Sequence, residues 1–288
     1  METGTEKKNT RLIIKVTHDT LPQIKDRYPF LYLERGRLEI DDSSVKWIDS
    51  EGEVIRLPIA TISTLLLGPG TSVTHEAIKV MAAANCTVCW VGEDSLLFYA
   101  VGNSPTANTR NFRRQMQIAC DKEKSLAVAR RMFARRFPDA DLSGKTLKEM
   151  MGMEGYRVRS LYEKKAEEYT IGWKGRSFIP GKMELSDITN QILTSCNAAL
   201  YGILASCIYS MGYSPHIGFI HSGSPLPFVY DMADLYKEKL CIDIAFKLTL
   251  DLAGQYNKYR VSSEFRQRVI DMDLLEKINP DIEEMLGQ

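Results

Sequence analysis

Histidine and aspartate, two residue types that commonly bind metal ions, occur together in the stretch GFIHSGSPLPFVYDMADLY of this 288-residue chain. The stretch contains His221, Asp231 and Asp234 among residues that are otherwise mostly apolar. Its glycines and prolines predict a loop around His221, followed by a helix from about residue 227, where proline is tolerated in the first turn. Asp231 and Asp234 are three residues apart, so we expect them on one side of that helix.

A glutamate in a second stretch, GMEGYRVRSLYEKK, is a further candidate. Glu154 lies between two glycines, and Val158 and Leu161 follow four and seven positions later, on the same face of a helix. If those two residues are buried, Glu154 points inward, and a buried carboxylate needs an ion pair or a metal ion. An ion pair with Arg157 or Arg159 is the alternative that this pattern leaves open.

Two carboxylates and one imidazole from separate elements are ligands that suit Mg²⁺ or Mn²⁺ better than a closed structural zinc site. Such a cation can polarise a phosphoryl group and activate a bound water or hydroxyl. Taken alone, Asp231 also suits the positive end of a helix, and a loop histidine is usually an ordinary polar side chain. No spacing rule brings Glu154, His221 and Asp234 together, so their convergence is a hypothesis about the tertiary structure.

The elements that must position these residues change character near residue 103. Short apolar segments separated by turns predict strands, the first at 11–17 and a longer one at 30–40, and a hairpin at Asp49–Gly52. A short helix follows Gly70, with Ser72 or Thr74 as its N-cap. Beyond the linker-like sequence NSPTANTR, helices are predicted at 113–137, 147–169, 188–211, 227–252 and 262–277.

The predicted fold class is therefore α+β, with an N-terminal β-rich domain followed by a larger all-α helical domain. The predicted boundaries are 1–102 for the β-rich domain, 103–110 for the linker and 111–288 for the helical, catalytic domain.

The cysteine pattern and the apolar segments argue against a metal-thiolate site and a membrane protein. Cys86 and Cys89 match C-x-x-C, but they fall in a predicted strand, where this spacing turns the two sulfur atoms to opposite faces. The apolar segment 193–213 carries several polar and small residues, which favours a buried core helix over a membrane span. The first ten residues lack a secretory apolar core, so we expect free thiols and a cytoplasmic protein.

Charge is unevenly distributed, although the formal net charge of the chain is zero. Residues 110–136 contain nine basic and two acidic side chains. Arg131 and Arg135 are four residues apart and share one side of the predicted helix. A surface that contacts DNA phosphates is the functional interpretation, and a solvated helix face is the alternative.

Several motifs together resemble a known protein family. GMEGYRVRSLY, PFVYDMADLYK, LLLGPGTSVTHEAIKVMAAANCTVCWVGE and ARRMFARRF are similar to the catalytic subunit of the CRISPR spacer-acquisition integrase. Its Cascade-associated, type I-E branch fits best, and the resemblance runs from about residue 21 to residue 250. It implies an N-terminal β-domain that supports dimerisation and DNA contact, and a C-terminal α-helical catalytic domain. The implied activity is that of a metal-dependent DNA endonuclease and integrase.

The resemblance also implies roles for individual residues. Mg²⁺ or Mn²⁺ would be bound by Glu154 of an E-G-x-R-V-R motif, His221 of a G-F-x-H motif and Asp234 of a D-x-A-D motif. Asp231 would have a supporting catalytic role. Tyr201, Tyr230 and Lys237 would lie near the DNA end. Together with Arg131 and Arg135 of the basic helix and Arg157, they are the predicted DNA-binding residues.

The implied reaction inserts short foreign DNA, the spacer, into a CRISPR array by transesterification, through attack of a 3′-hydroxyl on a phosphodiester. The implied partners are double-stranded and branched DNA, as prespacer and CRISPR repeat, a second copy of the chain, and a small ferredoxin-like subunit that bridges two dimers. A non-catalytic DNA-binding assembly subunit is the alternative function. A metallohydrolase with another substrate is disfavoured by the basic helix and by the absence of H-E-x-x-H and E-x-x-H motifs.

Overall fold

The computed structural model describes residues 27–287 except 29, 43, 93–97, 103–108 and 178–184. The strand predicted at 11–17 and most of the predicted linker 103–110 lie outside the described residues. In chain order the elements are β1 (Leu31–Leu33), β2 (Gly36–Asp41), β3 (Ser44–Asp49), β4 (Val54–Leu57), β5 (Thr64–Leu67), β6 (Thr71–Val73), α1 (His75–Ala83), β7 (Thr87–Val91), β8 (Phe98–Gly102), α2 (Arg110–Cys120), α3 (Lys122–Arg136), α4 (Leu147–Glu168), α5 (Ile188–Ser210), α6 (Pro227–Ala233), α7 (Asp243–Asp251), α8 (Lys258–Asp271) and α9 (Leu274–Met285).

The β-rich region contains two four-stranded sheets. One has the order β1-β5-β7-β8, with β1, β5 and β7 parallel and β8 antiparallel to β7. The other has the order β4-β3-β2-β6, in which β2, β3 and β4 form an antiparallel meander and β6 runs parallel to β2. The β3–β4 hairpin predicted at Asp49–Gly52 is present, and Gly52 has φ of 89°. Of the two predicted N-caps of α1, the structure has Thr74.

The prediction of one continuous strand over 30–40 is wrong, because β1 and β2 belong to different sheets. Arg35 between them has φ of 55°, in the left-handed region, which redirects the chain. At Gly36 a Cβ atom would lie 2.3 Å from the ring of Trp47, so only glycine fits against that neighbouring strand. Because only Glu34 and Arg35 separate the two short strands, the sequence pattern resembles that of a single strand.

The parallel sheet is buried on both faces. Leu65 and Leu67 pack into a core shared with the second sheet and α1, whereas Leu66 packs into a core shared with the helices. Cys86 and Cys89 fall in these two different cores, which confirms that their sulfur atoms face opposite ways. All six cysteines are free thiols, as predicted.

Helix α5 lies against the sheet and is the centre of the helical core. The hydroxyl of Thr87 donates to that of Ser206 over 3.1 Å, which joins β7 directly to α5. In the described part of the chain, Ile188–Tyr209 is the one segment apolar and long enough to cross a membrane, and 78% of its most apolar window is buried. This burial agrees with the predicted core helix.

Three of the five predicted helices are divided in the structure, while α4 and α5 match their predictions closely. Asp121 separates α2 from α3, because its carboxylate accepts the free backbone N–H groups at the start of α3. Residues 227–252 form α6, a π-helical turn at Glu238–Ile242 and α7. Asp273, with φ of 49°, separates α8 from α9.

Candidate active site

The loop that carries His221 is folded around the carboxylate of Asp231, which is fully buried on α6. Oδ2 of Asp231 accepts the backbone N–H groups of Phe219 at 2.6 Å and Ile220 at 3.2 Å. Oδ1 accepts the backbone N–H of His221 at 3.0 Å. A buried carboxylate is tolerated when several donors satisfy it, and here those donors hold the loop in one conformation.

The same carboxylate orients the imidazole of His221. Nδ1 lies 2.8 Å from Oδ1 of Asp231, and Nε2 lies 3.6 Å from Oδ2 of Asp234. The hydrogen bond to Asp231 raises the pKa of His221, although burial opposes the increase. Asp231 therefore fixes the ring so that its second nitrogen faces Asp234.

Asp234 follows the last residue of α6, and its side chain is only 8% exposed. Lys237 Nζ lies 2.8 Å from Oδ1 of Asp234, and Arg136 Nη1 lies 3.6 Å from Oδ2. Burial alone would raise the pKa of Asp234, but Lys237 and Arg136 outweigh it, so the pKa is lowered. Asp234 is thus a carboxylate that keeps its charge inside the protein.

Glu154 lies within α4, where its side chain is 16% exposed, and forms an ion pair with Arg136. The predicted alternative partners were therefore wrong: neither Arg157 nor Arg159 forms the pair. Arg157 instead lies over the ring of Phe137, with its guanidinium carbon 5.1 Å from the ring centroid. The partner comes from α3, which packs against α4.

Arg136 is the one important residue of this cluster that the sequence analysis did not single out. It follows Met132 by four positions and Phe133 by three, and both of these residues are fully buried in the helical core. An arginine on the apolar face of a helix implies a buried carboxylate partner. The spacing of Arg136 from these two apolar residues could have indicated a buried ion pair. Arg136 also belongs to the basic run 110–136, however, which was interpreted as a surface that contacts DNA.

Glu154, His221 and Asp234, predicted to bind a metal ion, come from α4, a loop and the end of α6. As they stand, no three His, Cys, Asp or Glu side chains among the described residues are arranged to hold a metal ion. Instead, the cationic Nη1 of Arg136 lies beside both Glu154 and Asp234. Two carboxylates and an imidazole nitrogen next to one cationic group fit a hard divalent cation in their chemistry, provided that Arg136 moves.

Tyr201, Tyr230 and Lys237, predicted to lie near DNA, are brought together beside this cluster. The two tyrosine rings are 4.9 Å apart between centroids, and Lys237 Nζ lies 5.1 Å from the centroid of the Tyr201 ring. Burial raises the pKa of both tyrosines, so they stay neutral hydrogen-bonding groups. The site therefore combines acidic groups with aromatic faces and one lysine.

Arg131 and Arg135 lie on another side of α3 and contact α9. Arg131 Nε donates to the carbonyl of Met285 over 2.8 Å. Arg135 pairs with Asp281 and Glu284, each at 2.7 Å. These two residues therefore have intramolecular partners away from the acidic cluster, which is formed by Glu154 and Asp234. Their contact with DNA stays a prediction.

Comparison with known proteins gives a consistent result. The family model described as CRISPR associated protein Cas1 matches residues 31–141 and 133–272. A relative from Chlorobaculum tepidum, CRISPR-associated endonuclease Cas1 2, is 65% identical over 285 residues, which cover 99% of this chain and 96% of that protein. The Escherichia coli K12 protein, CRISPR-associated endonuclease Cas1, is 32% identical and covers 92% of this chain and 86% of its own length.

Solved structures share the same fold. The crystal structure of a TtCas1–DNA complex has a TM-score of 0.79 and 34% sequence identity, and covers 90% of this chain and 92% of that one. A casposase bound to an integration product has a TM-score of 0.69 at 16% identity, over 90% of both chains, which is a likeness of fold alone. The family match, the relatives and the fold agree, and the chain belongs to the CRISPR-associated Cas1 family.

Proposed function

We propose that this protein is a DNA endonuclease and integrase that inserts short foreign DNA into a CRISPR array with the help of Mg²⁺ or Mn²⁺. The names of its relatives as endonucleases and the DNA complex of TtCas1 support action on DNA. The observation that carries the proposal is the convergence of Glu154 and Asp234 on one cationic nitrogen, with His221 held against Asp234.

The proposed reaction is a transesterification. The 3′-oxygen of the captured DNA forms a new bond to the target phosphorus, and the bond from that phosphorus to the original 3′-oxygen breaks. The attacking hydroxyl loses its proton and the departing oxygen gains one, so no cofactor is consumed. With water as the nucleophile, the same site cleaves DNA by hydrolysis.

A divalent cation held by Glu154, His221 and Asp234 would polarise the phosphodiester and stabilise charge in the transition state. The chain's own residues supply the positioning. Asp231 fixes the imidazole of His221, and Lys237 keeps Asp234 ionised. The rings of Tyr201 and Tyr230 offer stacking surfaces next to these groups.

Strand joining on DNA tests the proposal. Asp234→Ala and His221→Ala should each abolish joining of a short duplex to a branched or repeat-containing DNA in the presence of Mn²⁺. Asp251→Ala, which changes an exposed aspartate on α7, is the matched control and should retain activity. If both site variants join strands at the wild-type rate, the assignment of the active site is wrong.

A non-catalytic DNA-binding assembly subunit is the second candidate, and one observation favours it. The ion pair with Arg136 balances the charge of the partly buried Glu154 carboxylate without a metal ion. This alternative predicts DNA binding without strand chemistry, with or without Mn²⁺. The joining assay on the wild-type protein therefore separates the two functions.

We further propose the partners and setting that the resemblance implies. These are a homodimer, a small ferredoxin-like subunit that bridges two dimers, a cytoplasmic location and membership of the type I-E branch. Mass measurement of the purified chain with and without the small subunit tests the assembly. A single-chain mass in both samples would contradict it.

A further inference from the structure

The acidic cluster contains its own cation. The side chains of Arg136, Glu154 and Asp234 are 10%, 16% and 8% exposed, so all three are largely removed from water. Two carboxylates this close would repel each other strongly in a buried site unless a positive charge lay between them. In this structure the guanidinium of Arg136 supplies that charge.

We infer that Arg136 competes with a divalent cation for this site, and that a DNA phosphate draws Arg136 away, so that the cation and DNA bind cooperatively. The inference rests on the proposed metal dependence and adds a role for a residue of this chain. Arg136 would be a positioning residue that keeps the acidic cluster stable until DNA arrives.

The balance of charges supports the competition. Three carboxylates, those of Glu154, Asp231 and Asp234, face two fixed cations, Arg136 and Lys237, which leaves about one negative charge with a neutral His221. A divalent cation bound by Glu154 and Asp234 would lie close to Arg136, and two positive groups so close together in a largely buried site repel each other. Displacement of Arg136 removes that repulsion and frees Glu154 and Oδ2 of Asp234, while Lys237 keeps its contact with Oδ1.

A second guanidinium contacts the same aromatic ring as Arg136. The guanidinium carbon atoms of Arg136 and Arg157 lie 4.9 and 5.1 Å from the centroid of the same ring, that of Phe137. Both arginines therefore lie around the ring of Phe137, and phosphate is an anion that guanidinium groups bind well. A DNA phosphate bound there would exchange the carboxylate partner of Arg136 for a phosphate partner.

Binding of Mn²⁺ alone, followed by electron paramagnetic resonance of the free ion, tests the competition. Without DNA, Arg136→Gln should bind Mn²⁺ at least about tenfold more tightly than wild type, because the competing charge is gone. Arg136→Lys keeps a cation and should stay close to wild type. Lys122→Gln removes an exposed charge from the same helix and should leave Mn²⁺ affinity unchanged.

The cooperative part is tested on the wild-type protein with a duplex that ends in 3′-deoxynucleotides and therefore cannot attack. This duplex should tighten Mn²⁺ binding by about tenfold or more in wild type and much less in Arg136→Gln, because linkage between the two ligands is reciprocal. Without metal, Arg136→Gln should also melt at a lower temperature than wild type, and Mn²⁺ should restore more of its stability.

Two failures are distinguishable. If wild type binds Mn²⁺ in an Asp234-dependent manner, but neither Arg136→Gln nor the duplex tightens that binding, the inference is overturned and the proposed function stands. If Asp234→Asn does not change Mn²⁺ binding in any of these samples, the metal site itself is wrong, and the inference falls with it.

Discussion

His221 and Asp231 form a hydrogen-bonded pair in which Nδ1 of the imidazole lies 2.8 Å from Oδ1 of the carboxylate. A carboxylate only accepts, so Nδ1 carries the proton and Nε2 of His221 is the nitrogen directed at Asp234. The pair is anchored because Asp231 also accepts three backbone N–H groups from the histidine loop. One buried side chain therefore sets both the loop and the ring.

Replacement of Asp231 with Asn should destabilise the protein by about 2 kcal/mol, because an amide NH₂ would face donors that now meet an oxygen. The chemical denaturation midpoint measures this change. Asp251→Asn, an exposed aspartate on α7, is the control and should change stability by less than about 0.5 kcal/mol. Equal stability of Asp231→Asn and wild type would show that the buried hydrogen bonds do not organise the loop.

The raised pKa of His221 predicts a pH dependence of stability. Asp231, Asp234, Lys237 and the Tyr230 ring surround the imidazole, and the bond to Asp231 is the main reason that its pKa is raised. The protonated form is favoured in the folded state, so its stabilisation is complete below the unfolded pKa of about 6.5 and is lost as pH rises through the folded value.

Denaturation of metal-free protein between about pH 5 and 9 should therefore show a loss of stability with rising pH that His221→Gln lacks. Titration of the imidazole proton by nuclear magnetic resonance should give a pKa above about 6.5. A value at or below the ordinary one would contradict the ion pair with Asp231.

Gly218 should be intolerant of substitution, because a Cβ atom there would lie 2.6 Å from Cβ of Pro227 and 2.9 Å from Oδ2 of Asp231. We expect Gly218→Ala to lose about 1–3 kcal/mol of stability, since the loop and α6 must move apart. Gly152, on α4, has no atom within 4 Å of such a Cβ. Gly152→Ala should instead gain about 0.5–1 kcal/mol, because alanine favours the helix. The melting temperatures of the two variants test these expectations. Similar melting temperatures for Gly218→Ala and Gly152→Ala would contradict the close packing at Gly218.

Arg135 should contribute mainly to the stability of the fold and little to DNA binding. Its ion pairs with Asp281 and Glu284 join α3 to α9, so Arg135→Gln should lower stability by about 1 kcal/mol, a modest value because the arginine is 42% exposed. The slope of log affinity for DNA against log salt should change little. Lys122→Gln is the control for loss of one charge on α3. A slope reduced by about 0.9, with unchanged stability, would instead support the phosphate contact predicted from sequence.

Most secondary structure could be predicted because its causes are local. Hydrophobic periodicity predicted α4 and α5, and Thr74 was one of two predicted N-caps of α1. The errors occur where one residue interrupts a continuous pattern. Arg35 and Asp273 do so with a left-handed backbone, and Asp121 does so as a cap, and none of these positions breaks the periodicity around it.

The sequence by itself determined the chemical identity of the candidate site, because Glu154, His221, Asp231 and Asp234 stand in short motifs whose residue types suit a divalent cation. The tertiary structure decided which groups meet: Asp231 turned out to organise the histidine loop, and Arg136 of α3 turned out to neutralise Glu154. The physical reason is the distance along the chain over which each effect acts. Helix periodicity and capping act over a few residues of chain, whereas the free energy of a buried charge depends on neighbours that only the packing of separate helices brings together.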